Sequence, residues 1–224
     1  MLSQLANIWR VHDLRNKLLF VVAMVAVYRL GVFIRVPGVD PIAIEQLRES
    51  AGQQGALGFL NLFSGGAFES FSIFALGIMP YITASIILQL LTVVIPRLET
   101  LKKEGQSGTA KITQYTRFLT VGLAFAQSVG YVFLFRSFSQ QAGQELIPDF
   151  TFIPVFIIVL SLTAGCVVVM WMGELITQRG IGNGISLIIF AGIVSQFIPT
   201  IGTYIVIYNI KLSLKQYIMV NIVR

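Results

Sequence analysis

The chain has little of what water-soluble chemistry is built from. Its 224 residues include one cysteine and one histidine. A single cysteine excludes an internal disulfide framework and a cysteine-rich metal site. One histidine and one cysteine cannot assemble a Ser–His–Asp or Cys–His set, and no paired-carboxylate set is evident. No catalytic residue, metal site or cofactor site is therefore expected, and the chain does not read as an enzyme. His12 lies beside Arg10, Asp13 and Arg15, before the first apolar run, and reads as a solvated terminal residue. Charge is scarce too. Asp, Glu, Lys and Arg make up 12% of the chain, about half the share in a soluble domain. Low charge with high hydrophobicity excludes intrinsic disorder.

What is abundant is apolar surface. Apolar residues are 55% of the chain, or about 61% when glycine is counted and tyrosine is not. Mean hydropathy is +0.80. A compact chain of this size cannot bury so much apolar surface in water. The sequence reads as an all-α polytopic membrane protein. Five apolar runs stand out: Leu18–Ile34, Phe71–Ile95, Phe118–Phe135, Ile153–Gly173 and Ile185–Tyr208. Each has roughly the 17–25 residues that cross a bilayer as a helix. A sixth run starts near Tyr217 and stops at Arg224, so a fragment, with the start of a sixth span, is expected. Arg35-Val36-Pro37-Gly38 after the first run offers no small-x-small cleavage site, which argues against a signal peptide.

The net charge of +6 is better assigned to one membrane face than to nucleic acid. Lys and Arg number nine in the tail 1–17, the loop 96–117 and the turn 174–184, against five in the opposite loops 35–70, 136–152 and 209–216. The positive-inside rule makes the N-terminus cytoplasmic. The organisation expected is a tail 1–17, a five-span unit 18–208, and a loop with the start of span 6 at 209–224.

Local features refine this frame. Pro96 ends span 2 and Pro154 opens span 4, where its missing N–H is harmless. Gly77 and Pro80 predict a kink inside span 2. The stretch Leu57–Phe63, followed by Ser64-Gly65-Gly66, is too short to span. It reads either as an interfacial helix or as a re-entrant piece, the latter requiring a cavity in the bundle. Thr83, Ser85, Gln89 and Thr92 in span 2, with Gln127 and Ser128 in span 3, face other helices or a wet path. Gly122, Ala126 and Gly130 share a face that lets another helix approach. Arg29 is close enough to the end of span 1 to snorkel outward. Arg179-Gly180-Ile181-Gly182-Asn183-Gly184 lacks the context of a phosphate loop and reads as a tight turn, with Asn183 capping span 5. Scarce midplane charge argues against an ion-coupled pump.

Several motifs resemble the SecY family, pore subunits of the bacterial-type protein-conducting channel. They are Tyr28-Arg29-Leu30-Gly31, Pro37-Gly38-Val39-Asp40, Phe63-Ser64-Gly65-Gly66, the run Ser72 to Ser85, Lys103-Glu104-Gly105, Gln114-Tyr115-Thr116-Arg117 and Arg179 to Ser186. The resemblance implies the first half of a ten-span inverted repeat. It implies that 57–68 is the plug, built from Leu57, Phe59, Leu60, Leu62, Phe63, Ser64, Gly65 and Gly66. It implies a pore ring that includes Ile78 and Ile82 of span 2 and Ile185 and Ile189 of span 5. Taken alone, these isoleucines read as ordinary core. An apolar ring seals by dewetting. The resemblance also implies that Thr83 and Gln127 fall at a polar cluster of the lateral gate. The implied partners are SecE and SecG, SecA or a ribosome, translocating polypeptides with their signal sequences, and membrane lipid, with no direct nucleic-acid role. The implied location is a bacterial plasma membrane, or a thylakoid. The region 136–150 and everything after about Pro199 match poorly. The competing readings are a secondary transporter or solute channel with inverted repeats, and a membrane scaffold.

Overall fold

A computed structural model describes residues 11–45 and 64–197, apart from 142, 144, 145 and 149. Regular structure among them is helical, save one isolated antiparallel bridge between Arg35 and Ser72. The first helix, α1, is His12–Val32. Asp13 lies in its first turn and Arg29 in its last, each suited to the helix dipole. Asp13, Arg15, Lys17 and Arg29 interrupt α1, so its uncharged stretch is shorter than a 30 Å crossing requires.

The second apolar run is not one kinked helix. The chain passes through a succession of turns from 64 to 78, and α2 spans only Met79–Val94. Gly77 takes a φ of +57°, which a right-handed helix does not tolerate. Pro80 then sits in the first turn of α2, where it has no donor to waste. The Gly77–Pro80 pair thus marks a helix start, where the sequence predicts a bend. At the other end Pro96 acts as expected. The residue before a proline avoids the helical region, and Ile95 is extended, with φ −97° and ψ 111°. The short helix α3, Pro96–Lys103, leaves α2 at 100°.

Next comes α4, Gln106–Gln141, which at 36 residues is about 54 Å long. It carries the third apolar run and absorbs part of the expected loop 96–117 into helix. Helix α5 is Phe152–Arg179, with Pro154 near its start. Helix α6, Gly184–Phe197, is apolar but shorter than a crossing needs; residues 198–224 lie outside the described ones. Among the described residues, two helices are long and apolar enough to cross a membrane, Gln106–Ser137 and Phe152–Arg179, or three if α2 and α3 form one broken span. Large apolar side chains such as Leu90, Val93, Phe118 and Trp171 are exposed, as a hydrocarbon surround favours.

Helix α5 is the axis of packing. Its N-terminal half buries Ile158, Val159, Leu162 and Cys166 against Val36, Phe71, Leu76 and Val132. Its C-terminal half buries Val169, Met172 and Ile176 in a second cluster with Tyr28, Phe74, Ile78 and Ile188. Buried hydroxyls need partners in such a medium. Thr116, Thr120, Ser128 and Thr163 each donate to the carbonyl four residues back. Ser128 Oγ also meets Thr163 Oγ1 at 3.2 Å, tying α4 to α5.

Candidate functional site

The turn between α5 and α6 positions the first pair of candidate isoleucines. Asn183 Oδ1 accepts from the N–H groups of Ile185 and Ser186, at 3.0 and 3.4 Å. This is the N-cap anticipated from sequence. Gly184 N donates to Thr177 Oγ1 at 2.9 Å, and a side chain on Gly184 would collide with the Gly173 carbonyl. Helix α6 is therefore held against α5 from its first residue. Ile185 and Ile189 are half-buried in the second cluster.

Ile78 and Ile82 come from the other side. Ile78 is the N-cap of α2 and is 3% exposed. Its carbonyl accepts from Ile82 N at 3.1 Å, so the i,i+4 register holds although the helix proper starts at Met79. Both lie in the same cluster as Ile185 and Ile189. Gly173 marks the meeting point. A Cβ placed there would sit 3.3 Å from Ile185 Cγ1, 3.5 Å from Ile188 Cδ1 and 3.6 Å from Ile78 Cδ1. Two segments about a hundred residues apart thus converge on one apolar patch.

Of the expected plug, Leu57, Phe59, Leu60, Leu62 and Phe63 lie outside the described residues. Ser64, Gly65 and Gly66 form a turn, with φ of +64° at Gly65 and +90° at Gly66. Tyr28 O–H donates to Ser64 O at 3.1 Å, and Arg29 Nη1 donates to Gly65 O at 2.8 Å. Arg29 is thus engaged inside the protein and does not simply snorkel outward.

Thr83 Oγ1 donates to Met79 O of its own helix at 3.1 Å. Gln127 is half-buried on α4. No hydrogen bond joins them among the described residues. Gly122 and Gly130 have open space where a Cβ would point, so their face is not used within the described part of the chain.

One feature escaped the sequence reading. Arg117 of α4 and Glu174 of α5 form a two-point pair, Nε to Oε1 at 2.9 Å and Nη2 to Oε2 at 2.7 Å. Glu174 is buried and Arg117 reaches partly out. Such forked pairs fix orientation as well as charge. The signal was present: Arg117 stands just before span 3 and Glu174 just after span 4, hence at the same end of neighbouring antiparallel helices. Among the described residues no group of acidic, His or Cys side chains could hold a metal ion.

Comparison with known proteins places this geometry. The SecY family model matches residues 72–224. The chain belongs to the SecY family. It is 56% identical to the protein translocase subunit SecY of Streptomyces galbus over 202 residues, covering 88% of this chain and 46% of that protein. It is 53% identical to the SecY of Corynebacterium glutamicum over 205 residues, covering 90% and 46%. The chain thus spans about half the length of the SecY relatives it matches. In three dimensions it resembles a solved protein conducting channel, with TM-score 0.52 and 20% identity. It also resembles Sec61 in the canine ribosome–channel complex from the endoplasmic reticulum, with TM-score 0.52 and 22% identity. Each match covers 79% of this chain and 35% of the other. These likenesses establish the fold. SecY membership and the apolar helices make the chain a membrane protein of a bacterial family.

Proposed function

We propose that the chain supplies the N-terminal half of a protein-conducting channel, for secretion across the membrane and insertion into it. In this reading it contributes five of ten spans. The observation that carries it is the convergence of Ile78, Ile82, Ile185 and Ile189 in one apolar cluster of a SecY-family chain. An apolar constriction excludes water and ions while gripping no particular sequence, which suits a conduit for unfolded polypeptides. Residues 57–68 act as the plug. Thr83 and Gln127 belong to the polar lining of the lateral gate, through which signal sequences reach lipid. The chain itself is not an enzyme; a ribosome or SecA supplies the driving energy, docking mainly on the other half. SecE and SecG are the membrane neighbours. The N-terminus is cytoplasmic in a bacterial plasma membrane. A coupled transporter would need a free acidic relay near the midplane. Glu174 is instead neutralised by Arg117, which weighs against that reading.

The test uses the full-length channel with its partner subunits. Ile82→Asn and Ile185→Asn are each expected to raise resting ion leak, because a polar side chain wets the constriction. A cysteine replacing Ile78 or Ile82 is expected to crosslink to a stalled secretory chain; the native Cys166 is buried and gives little background. Unchanged leak together with no crosslink at either site, in an engaged channel, would sink the reading.

A further inference from the structure

The turn Ser64–Gly66 is held by groups that the channel reading does not use. Both glycines have φ values that other residues rarely adopt, and non-helical backbone at membrane depth must find partners in the protein. Adjacent residues of α1 supply them. Tyr28 is 1% exposed, its ring stacks on Phe74 at 5.9 Å, and its hydroxyl donates to Ser64 O. Arg29 brings a charged donor to Gly65 O. From the opposite side α6 closes in. A Cβ on Gly65 would lie 2.9 Å from Gly192 Cα, and one on Gly66 would overlap the Gln196 side-chain amide. Inside the turn, Ser64 Oγ accepts from Phe68 N at 3.0 Å. The turn is therefore gripped between two helices, by side-chain donors on one and close backbone on the other.

We propose that Tyr28 and Arg29 are positioning residues for the resting seal. They pin the Ser64–Gly66 turn between α1 and α6, and drawing the pin loosens the seal. This rests on the reading of 57–68 as the plug, which the pinned turn anchors at its C-terminal end. A guanidinium drawn inside the protein needs partners there, and a hydrogen bond from a charged donor is stronger than one from a neutral donor. Arg29 is accordingly the stronger half of the pin and Tyr28 the weaker.

The experiment compares Arg29→Ala, Arg29→Lys, Tyr28→Phe and, as a seal control, Ile82→Asn. All are made in the full-length channel with its partner subunits in proteoliposomes. Hydrogen exchange is read over residues 64–72, and ion leak is read at rest. Arg29→Ala is expected to speed exchange at the Ala67 and Phe68 amides by about tenfold, leave α4 and α5 unchanged, and raise the leak. Tyr28→Phe should do the same to a smaller degree. Arg29→Lys, which keeps the charge, should fall between parent and Arg29→Ala; it carries the test if Arg29→Ala does not assemble. Unaltered exchange in both Arg29 variants overturns the proposal. So does a tight Arg29 variant with raised exchange when Ile82→Asn leaks, in which case the seal reading survives alone. If Ile82→Asn is tight as well, the seal reading fails and takes this inference with it.

Discussion

The α4–α5 pair and the α1–turn–α6 region meet the same requirement in opposite ways. Hydrocarbon offers no hydrogen bonds, so every backbone polar group must find a partner in the protein. Helices α4 and α5 satisfy their backbones internally over 36 and 28 residues. Their side chains are left free to join the helices, through Arg117–Glu174 at one end and Ser128–Thr163 further along. In the other region the chain is out of helical conformation from Gly65 to Ile78. There, side chains of α1 are spent on backbone carbonyls, and glycine lets backbones touch directly at Gly65 and Gly192. Regular structure therefore frees side chains to join one helix to another, whereas irregular structure commits them to backbone groups.

Substitutions at three contacts, two of them with a comparison variant, probe this contrast. The largest expected effect is at the ion pair. Arg117→Ala would strand Glu174 in a buried site, and losing one partner of such a pair destabilises by about 3 kcal/mol or more. Denaturant titration of the full-length protein in detergent should show that loss, with Glu174→Gln milder because Arg117 still reaches outward. An equal or greater loss for Glu174→Gln would break the argument. Next comes Gly165, where a Cβ would collide with the Ile73 carbonyl. Gly165→Val forces α5 away from the irregular segment, and overpacking of this kind destabilises by about 1–3 kcal/mol. The same titration should find it clearly more damaging than Gly122→Val, which meets open space. The smallest effect belongs to Ser128→Ala. Interhelical hydroxyl contacts in membranes average about 0.6 kcal/mol, so a shift beyond about 1.5 kcal/mol would mean that the pair does more than join helices.

How far the sequence foretold each region follows from the same contrast. Spans 3 and 4 were legible because hydropathy and length determine a regular membrane helix. The Asn183 cap and the Pro96 break were legible because each acts within a few residues. The start of α2 was misjudged, since Phe71–Ile78 is as apolar as the helix that follows and hydropathy carries no dihedral angles. Phe71 has a φ of +45° without being glycine, which no pattern announces. The Tyr28–Ser64 and Arg29–Gly65 contacts span 36 residues, and Arg117–Glu174 spans 57. Such pairs depend on how helices are arranged, which composition cannot state. The four isoleucines were assigned by resemblance alone, because an isoleucine in a seal and one in a core have the same pattern.

The bridge between Arg35 and Ser72 has a mechanical consequence. Val36 N donates to Phe71 O at 3.1 Å and Ile73 N to Ile34 O at 3.0 Å. These bonds cinch the neck of the excursion that leaves α1 and returns toward α2. The two ends are tied here by backbone alone, as the two ends of a sling are tied at its base. A pull that peels the two segments apart from the excursion side meets the Val36–Phe71 bond first and the Ile73–Ile34 bond behind it. Segments 34–36 and 71–73 thus fix the spacing between the end of α1 and the approach to α2 with two backbone bonds that depend on no side chain.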